Sequence, residues 1–145
     1  MFSPHAILND QALNSKRCKW VHGCSAGLDQ YLTAKDFVDA DHIVLTNSRG
    51  LFTPALAEFV ALGMLFHSKR LSHFMQSQSS KEWKPTFVEM VGDKTVAIIG
   101  FGDIGAACGK VLLNGFGAKV IGVKKRPDAT SAEALQCCTE LVGLD

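Results

Sequence analysis

The chain has 145 residues, of which 47% are hydrophobic and 20% are charged, and its formal net charge is +1. These values are ordinary for a globular domain that buries an apolar core. The near-neutral charge argues against nucleic acid or a membrane surface as a bulk partner. The start, Met1 to His5, lacks the basic stretch and apolar run of a secretory signal. We therefore expect a cytoplasmic protein, although an organelle is not excluded by these residues.

The cysteines and histidines form no recognisable site in the sequence. The chain has five cysteines, an odd number, with no C-x-x-C pair and no His/Cys group at zinc spacing. The five histidines are scattered, and none has a neighbour at metal or triad spacing. We expect reduced thiols, no metal ion and no histidine catalyst within this chain.

The first third of the chain predicts short strands joined by polar segments. Residues Ala6 to Lys16 indicate a surface helix, and Cys18 to His22 indicate a strand followed by a loop of small residues, Gly23 to Asp29. Loops at the carboxyl ends of strands bind ligands in open α/β sheets. The segment Tyr31 to Asp39 fits a helix or irregular structure, and His42 to Thr46 indicates a second, buried strand.

A long apolar helix is predicted next. Thr53 and Pro54 are a hydroxyl N-cap and a first-turn proline, and the only charged residue from Ala55 to Phe66 is Glu58. The helix is shorter than the roughly 20 apolar residues that span a bilayer. A helix that is apolar all round must be buried all round, so we expect a homodimer formed through residues 53–75.

The glycines at G-x-G-x-x-G spacing, Gly100, Gly102 and Gly105, are the strongest signal in the sequence. They follow a buried strand, Val96 to Ile99, and they precede a helix that is expected to end at Gly115. This is the fingerprint of a dinucleotide-binding turn, in which glycines permit the tight turn, the close approach of the diphosphate and the packing of helix on sheet. The predicted cofactor-binding residues here are Gly100, Phe101, Gly102, Asp103, Ile104 and Gly105.

The second strand of this unit, Lys119 to Val123, leads into a basic turn made of Lys124, Lys125 and Arg126. The residue after this strand meets the adenosine ribose in dinucleotide folds, where an acid selects NAD and a basic group accommodates the 2′-phosphate of NADP. The turn therefore predicts that NADP is preferred over NAD; the alternative is a solvated basic turn without a ligand. The tail from Thr139 indicates the start of another strand.

Taken together, four blocks of sequence give the chain a family likeness. They are Trp20 to Asp29, Val44 to Glu58, Trp83, and Val96 to Gly105. In this order they resemble the D-isomer-specific 2-hydroxyacid dehydrogenases, especially the glyoxylate/hydroxypyruvate reductase-like branch. The resemblance implies a fragment truncated at both ends. It implies an α/β fold: the first half of a Rossmann-type parallel sheet, joined by a long crossover helix to a remnant of a flavodoxin-like substrate domain.

The resemblance also implies domain limits and a substrate site. Residues 1–52 correspond to the substrate-domain remnant, residues 53–84 to the crossover and dimerisation helix with its linker, and residues 85–145 to the first half of the NAD(P)-binding domain. Backbone N–H groups of Ser25, Ala26 and Gly27 are expected to hold the carboxylate of a 2-oxo or 2-hydroxy acid.

The family's catalytic arginine, acid and histidine are expected beyond the end of this chain, so no catalytic residue is assigned within it. Arg49 superficially resembles the family's arginine motif, but it lies in a segment where the family has an ordinary turn. The resemblance thus implies an NAD(P)-dependent oxidoreductase of which this chain alone is inactive. The alternatives are a non-catalytic nucleotide-binding or dimerisation module similar to corepressors of this fold, and an inactive gene fragment.

Overall fold

The computed structural model describes residues 17–32 and 41–144. The chain divides into two compact units, Met1–Phe52 and Thr53–Asp145, and each is described by itself. The helix predicted over Ala6 to Lys16 lies outside the described residues, as does most of the segment Tyr31 to Asp39.

The first unit contains a pair of parallel strands, β1 (Trp20–Gly23) and β2 (Val44–Asn47), with a single helical turn, α1 (Asp29–Leu32), after β1. Trp20 pairs with Val44 at one end, and Gly23 pairs with Asn47 at the other. Both strands begin later than predicted. The expectation of a buried second strand is wrong within this chain, because Val44 is 62% exposed.

The second unit alternates helices with strands. Its elements in chain order are α2 (Thr53–Ser68), α3 (Leu71–Ser79), β3 (Thr95–Ile99), α4 (Asp103–Lys110) with a π-helical extension (Val111–Gly115), β4 (Lys119–Val123), α5 (Ala132–Leu135) and β5 (Glu140–Val142).

The three strands of this unit form one parallel sheet in the order β3-β4-β5. Thr95 pairs with Lys119 and Ile99 with Val123, so β3 and β4 run in register along their full length. On the other side of β4, Ile121 pairs with Glu140. The strand predicted from Thr139 is thus present, and the α/β architecture with a Rossmann-type parallel sheet is confirmed.

A compact core holds the glycine turn in place. Its buried side chains are Val91, Phe101, Leu112, Ala118 and Val120. Met64 and Leu65 of α2 pack against this cluster. The long helix is therefore fixed to the same core as the sheet.

Helix α2 is buried along a narrow stripe instead of on every side. Ala57, Ala61 and Ser68 are its buried residues, whereas Phe59 is 72% and Leu62 is 56% exposed. Small residues thus face inward, because they let the helix approach its neighbours closely. Several large apolar side chains of this helix, Phe59, Leu62 and Phe66 among them, instead lie on the surface of this chain.

The end of the α4 region differs from the prediction. The helix widens into a π-helical segment that ends at Gly115, but the glycine with left-handed backbone is Gly117, with φ of +72°. The N–H of Gly117 donates to the carbonyl of Leu113 at 3.0 Å, and the N–H of Ala118 donates to Leu112 at 3.1 Å. Gly117 therefore closes the helix, in the manner of a C-terminal left-handed cap.

Candidate functional site

The glycine turn between β3 and α4 is anchored to the neighbouring strand. Gly100 has φ of +97°, a conformation that residues with a Cβ rarely adopt. The N–H groups of Gly100 and Phe101 donate to the carbonyl of Val123, at 2.9 and 3.1 Å. The turn is thereby fixed at the carboxyl end of β4, next to the start of the basic segment.

Glycine is needed at the other two positions of the motif for two different physical reasons. A Cβ at Gly105 would lie 2.3 Å from the carbonyl oxygen of Gly100, which is a severe overlap with backbone. A Cβ at Gly102 would meet nothing within 4 Å. Gly105 is therefore required for the packing of α4 on the turn. Gly102 instead leaves an open cradle that a side chain would fill, and this fits the backbone approach of a diphosphate.

The side chain of Phe101 does not lie at the predicted cofactor surface. It is 1% exposed and belongs to the core, and its backbone N–H is already bonded to Val123. The ring of Phe101 also lies 2.7 Å from the position of a Cβ on Gly122. Phe101 supports the turn from the side of the core. The sequence indicates this role, because an aromatic residue lies between two glycines that are exposed.

The N-terminal end of α4 follows the open cradle directly. Gly102 precedes the helix, whose first turn contains Asp103 and Ile104, and Ile104 is 46% exposed. The N–H groups of a first helical turn point out of its N-terminal end, where the helix dipole is positive. A helix end of this kind is suited to binding an anion.

The basic turn begins where β4 ends. The N–H of Lys124 donates to the carbonyl of Val142 at 3.0 Å, and its ammonium group donates to the hydroxyl of Thr130 at 3.1 Å. Lys124 is half-buried, whereas Lys125 and Arg126 are exposed. The hydrogen bond to Thr130 was not foreseeable from the sequence, because it depends on how the turn after β4 folds back.

The small-residue loop after β1 is held through its carbonyl groups. The carbonyl of Ser25 accepts from the N–H of Ser48 at 3.1 Å, and the carbonyl of Ala26 accepts from the side-chain amide of Asn47 at 2.7 Å. The hydroxyl of Ser25 donates to the carbonyl of Gly27 at 2.8 Å. We call Ser25 to Gly27 the substrate loop, after the role that the family resemblance predicts for it; all three residues are exposed.

A ladder of polar side chains crosses β1 and β2 next to this loop, and no pattern in the sequence indicates it. Trp20 Nε1 donates to Thr46 Oγ1 at 2.8 Å, and His22 Nδ1 lies 2.8 Å from the same oxygen. His22 Nε2 lies 3.2 Å from Ser48 Oγ, which donates to the carbonyl of Gly23 at 3.3 Å. His22 is thus held by hydroxyl groups. Parallel strand register brings these side chains together.

The remaining chemically reactive groups form no further centre in the part of the chain that the structure describes. No three His, Cys, Asp or Glu side chains among residues 17–32 and 41–144 are placed to hold a metal ion. The cysteines are free thiols, and burial raises the pKa of Cys108. In the same ranges, no helix has the length and apolar character needed to cross a membrane. Arg49 lies in the turn after β2.

Comparison with known proteins gives the same family from sequence and from structure. The chain is 34% identical to a D-lactate dehydrogenase of Streptococcus pyogenes serotype M1 over 101 residues, which cover 68% of this chain and 30% of that protein. Curated relatives are thus matched over about a third of their length.

Solved structures match most of the chain. A D-isomer specific 2-hydroxyacid dehydrogenase family protein from Aeromonas salmonicida has a TM-score of 0.72 and 25% identity, covering 87% of this chain and 38% of that one. An NADPH-dependent glyoxylate/hydroxypyruvate reductase from Sinorhizobium meliloti, in complex with NADP and sulfate, has a TM-score of 0.64 and 25% identity, covering 86% and 37%.

The family model for the NAD binding domain of D-isomer specific 2-hydroxyacid dehydrogenases matches residues 61–145, a range that contains the glycine turn and the basic turn. The chain therefore belongs to the D-isomer specific 2-hydroxyacid dehydrogenase family.

Proposed function

We propose that this chain is part of an NAD(P)-dependent oxidoreductase that acts on the CH–OH group of D-2-hydroxy acids and reduces 2-oxo acids such as glyoxylate or hydroxypyruvate. The observation that carries the proposal is the Gly100–Gly105 turn, open at Gly102 and fixed to the carboxyl end of β4. The match to the family's NAD binding domain supports it. The choice of glyoxylate or hydroxypyruvate rests on the reductase-like motifs and on the similarity to the Sinorhizobium meliloti reductase, whereas the curated relatives are D-lactate dehydrogenases.

The residues of this chain would bind and orient the reactants. A bound nicotinamide cofactor would supply the hydride that reduces the carbonyl carbon of the 2-oxo acid. The cradle at Gly102 and the N-terminal end of α4 would hold the diphosphate, with Asp103 and Ile104 contributing backbone groups. The substrate loop would hold the acid's carboxylate through N–H groups.

The basic turn supports a preference for NADP over NAD. Lys124 follows β4 directly and is held by Thr130, so its ammonium group is partly ordered before any cofactor arrives. Lys125 and Arg126 add two exposed positive charges to the same turn. A phosphate on the adenosine ribose would gain charge-assisted hydrogen bonds there.

Cofactor titration and an activity assay together test this function. We expect the purified chain to bind NADPH in isothermal titration calorimetry but not to oxidise it steadily with glyoxylate or hydroxypyruvate. The family resemblance places the proton donor and the group that polarises the carbonyl outside these residues, so general acid catalysis worth about 10²–10⁴ in rate would be missing. A chain that binds neither NADPH nor NADH would contradict the function, and steady NADPH oxidation would show that its catalytic groups lie among the present residues.

The exposed side of α2 supports a homodimer formed through residues 53–75. Phe59, Leu62 and Phe66 recur at helical spacing on this side, and each is at least 41% exposed. Contiguous apolar surface of this kind marks an interaction site. A second copy of the chain would cover it with the same surface, as two-fold dimers do.

A charge placed on this side of α2 tests the dimer. We expect Leu62→Asp to shift the chain from dimer to monomer or aggregate, because an unpaired charge buried in an interface costs several kcal/mol. Light scattering coupled to size-exclusion chromatography measures the change. Lys110→Asp, on the exposed side of α4, is the control for a changed charge and should leave the dimer intact. A soluble dimer of Leu62→Asp with unchanged mass would exclude this interface.

A further inference from the structure

The carbonyl groups of the substrate loop are bonded to residues at the end of β2, and this determines where its N–H groups point. Building on the carboxylate site of the proposed function, we propose that Asn47 is a positioning residue for it. The side-chain amide of Asn47 holds the carbonyl of Ala26 so that the following N–H, that of Gly27, faces a bound carboxylate.

The geometry of the peptide group carries this inference. In a planar trans peptide the C=O and the N–H point to opposite sides. Because the Ala26 carbonyl points to Asn47 at 2.7 Å, the N–H of Gly27 points away from β2. The same holds one residue earlier, where the Ser25 carbonyl points to the N–H of Ser48 at 3.1 Å. Two consecutive N–H groups, those of Ala26 and Gly27, thus face the side of the loop away from β2.

The chemistry of the contact requires an amide at position 47. A backbone carbonyl only accepts hydrogen bonds, so the Nδ2 group of Asn47 must face it. An aspartate of the same shape would present an acceptor and a negative charge to the Ala26 carbonyl, and it would also repel an incoming carboxylate. Asn47 is half-buried, whereas Ala26 and Gly27 are exposed. The donor is therefore sheltered by the strand pair, while the groups that it orients lie at the surface. The carboxylate of Asp29 also lies at this surface, with Oδ2 3.2 Å from the position of a Cβ on Gly27, so a ligand carboxylate must displace it.

The strand pair gives this donor a fixed base. The hydroxyl of Ser48 donates to the carbonyl of Gly23 at 3.3 Å, so it accepts from Nε2 of His22 at 3.2 Å. On the other side of the ring, Nδ1 of His22 lies 2.8 Å from the hydroxyl oxygen of Thr46. Asn47 lies between Thr46 and Ser48 in the chain, and both of its neighbours are held to β1.

Nuclear magnetic resonance of the ¹⁵N-labelled chain tests the proposal with oxamate, an unreactive analogue of a 2-oxo acid. We expect millimolar oxamate to shift the amide signals of Ala26 and Gly27, and the neutral oxamide to leave them in place. In Asn47→Ala the dissociation constant for oxamate should rise roughly tenfold, the effect of losing about 1.4 kcal/mol. Asn47→Asp should raise it further, and this variant keeps the side-chain shape if the alanine variant does not fold.

A matched control separates positioning from general weakening of the strand pair. Val44→Ala also weakens the strand pair, because it removes a β-branched residue at the end of the pair away from the loop, where Val44 pairs with Trp20, and it leaves the side-chain hydrogen bonds of the loop and of the ladder of polar side chains in place. This variant should leave the dissociation constant for oxamate within twofold of the value for the parent chain. If oxamate shifts Ala26 and Gly27 in the parent chain but both Asn47 variants bind it equally well, the positioning role is wrong and the carboxylate site stands. If oxamate shifts neither amide in the parent chain, the carboxylate site itself is wrong, and the role of Asn47 with it.

Discussion

Replacing Gly105 with alanine is expected to abolish dinucleotide binding and to lower the free energy of unfolding by about 3 kcal/mol. The added Cβ would lie 2.3 Å from the carbonyl oxygen of Gly100 and 3.3 Å from a methyl group of Ile98. The first of these is backbone, so it cannot rotate out of the way. Either α4 moves away from the sheet or the turn at Gly100 opens, and both changes disturb the cradle.

Gly102→Ala is the matched comparison, because it adds the same methyl group to the same turn. Here the Cβ meets nothing within 4 Å, and the backbone angles of Gly102, φ −96° and ψ −155°, suit any residue. We expect the midpoint of unfolding in denaturant to be the same for this variant as for the parent chain. It should nevertheless bind NADPH at least tenfold more weakly, because the methyl group occupies the space of the diphosphate.

Denaturant titration and calorimetric titration of the two variants measure these effects. We expect the two variants to separate stability from binding: Gly105→Ala loses both stability and NADPH binding, while Gly102→Ala loses NADPH binding alone. If Gly105→Ala is as stable as the parent chain, α4 can move without lowering the free energy of unfolding. Parent-like NADPH affinity of Gly102→Ala would place the diphosphate elsewhere.

Local sequence patterns were sufficient to predict the parallel sheet and the glycine turn. The structure of three segments follows from residues that are close together in the sequence: the run Val96 to Ile99, the three glycines, and the strand Lys119–Val123. The structure has both strands at these positions. An apolar run predicts a parallel strand, and G-x-G-x-x-G spacing reflects contacts within one turn. Such features do not depend on distant parts of the chain. The burial expected for Val96 to Ile99 is wrong within this chain, because Ile99 is 80% exposed and alternate residues of the strand are exposed.

Features that depend on contacts between distant residues were missed. The side-chain amide of Asn47 donates to the carbonyl of Ala26, 21 residues earlier in the chain, and no local pattern indicates this contact. The sequence predicts the end of this helix at Gly115, whereas the left-handed cap is Gly117, and no local pattern indicates the π-helical segment Val111–Gly115 that precedes it. The apolar residues of α2 predicted burial, but composition alone does not tell which side of a helix the same chain covers.

Cofactor choice is the second large effect that the structure predicts. The parent chain should bind NADPH more tightly than NADH by about 1–3 kcal/mol, since the 2′-phosphate gains charge-assisted hydrogen bonds from the basic turn. Lys124 should contribute most of this difference. Thr130 holds its ammonium group at 3.1 Å, and a half-buried, partly ordered cation loses less entropy on binding than the exposed Lys125 and Arg126.

Lys124→Asp should therefore reverse the preference. An acid after β4 accepts from the free 2′-hydroxyl of NADH and repels the phosphate of NADPH. Lys119→Asp makes the same charge change at the opposite end of β4, where the side chain is exposed, and it should leave the ratio of the two affinities within about twofold, as expected for a screened distant charge.

Fluorescence titrations with both cofactors, at low and high ionic strength, measure the ratio. In the parent chain the preference for NADPH should shrink as salt increases, because interactions of exposed charges are screened over about 10 Å at 0.1 M. The contribution of the half-buried Lys124 to this preference should persist to a higher salt concentration than the contributions of its exposed neighbours. Equal affinities for NADPH and NADH in the parent chain, unchanged in Lys124→Asp, would instead identify the basic turn as a solvated surface without a role in cofactor choice.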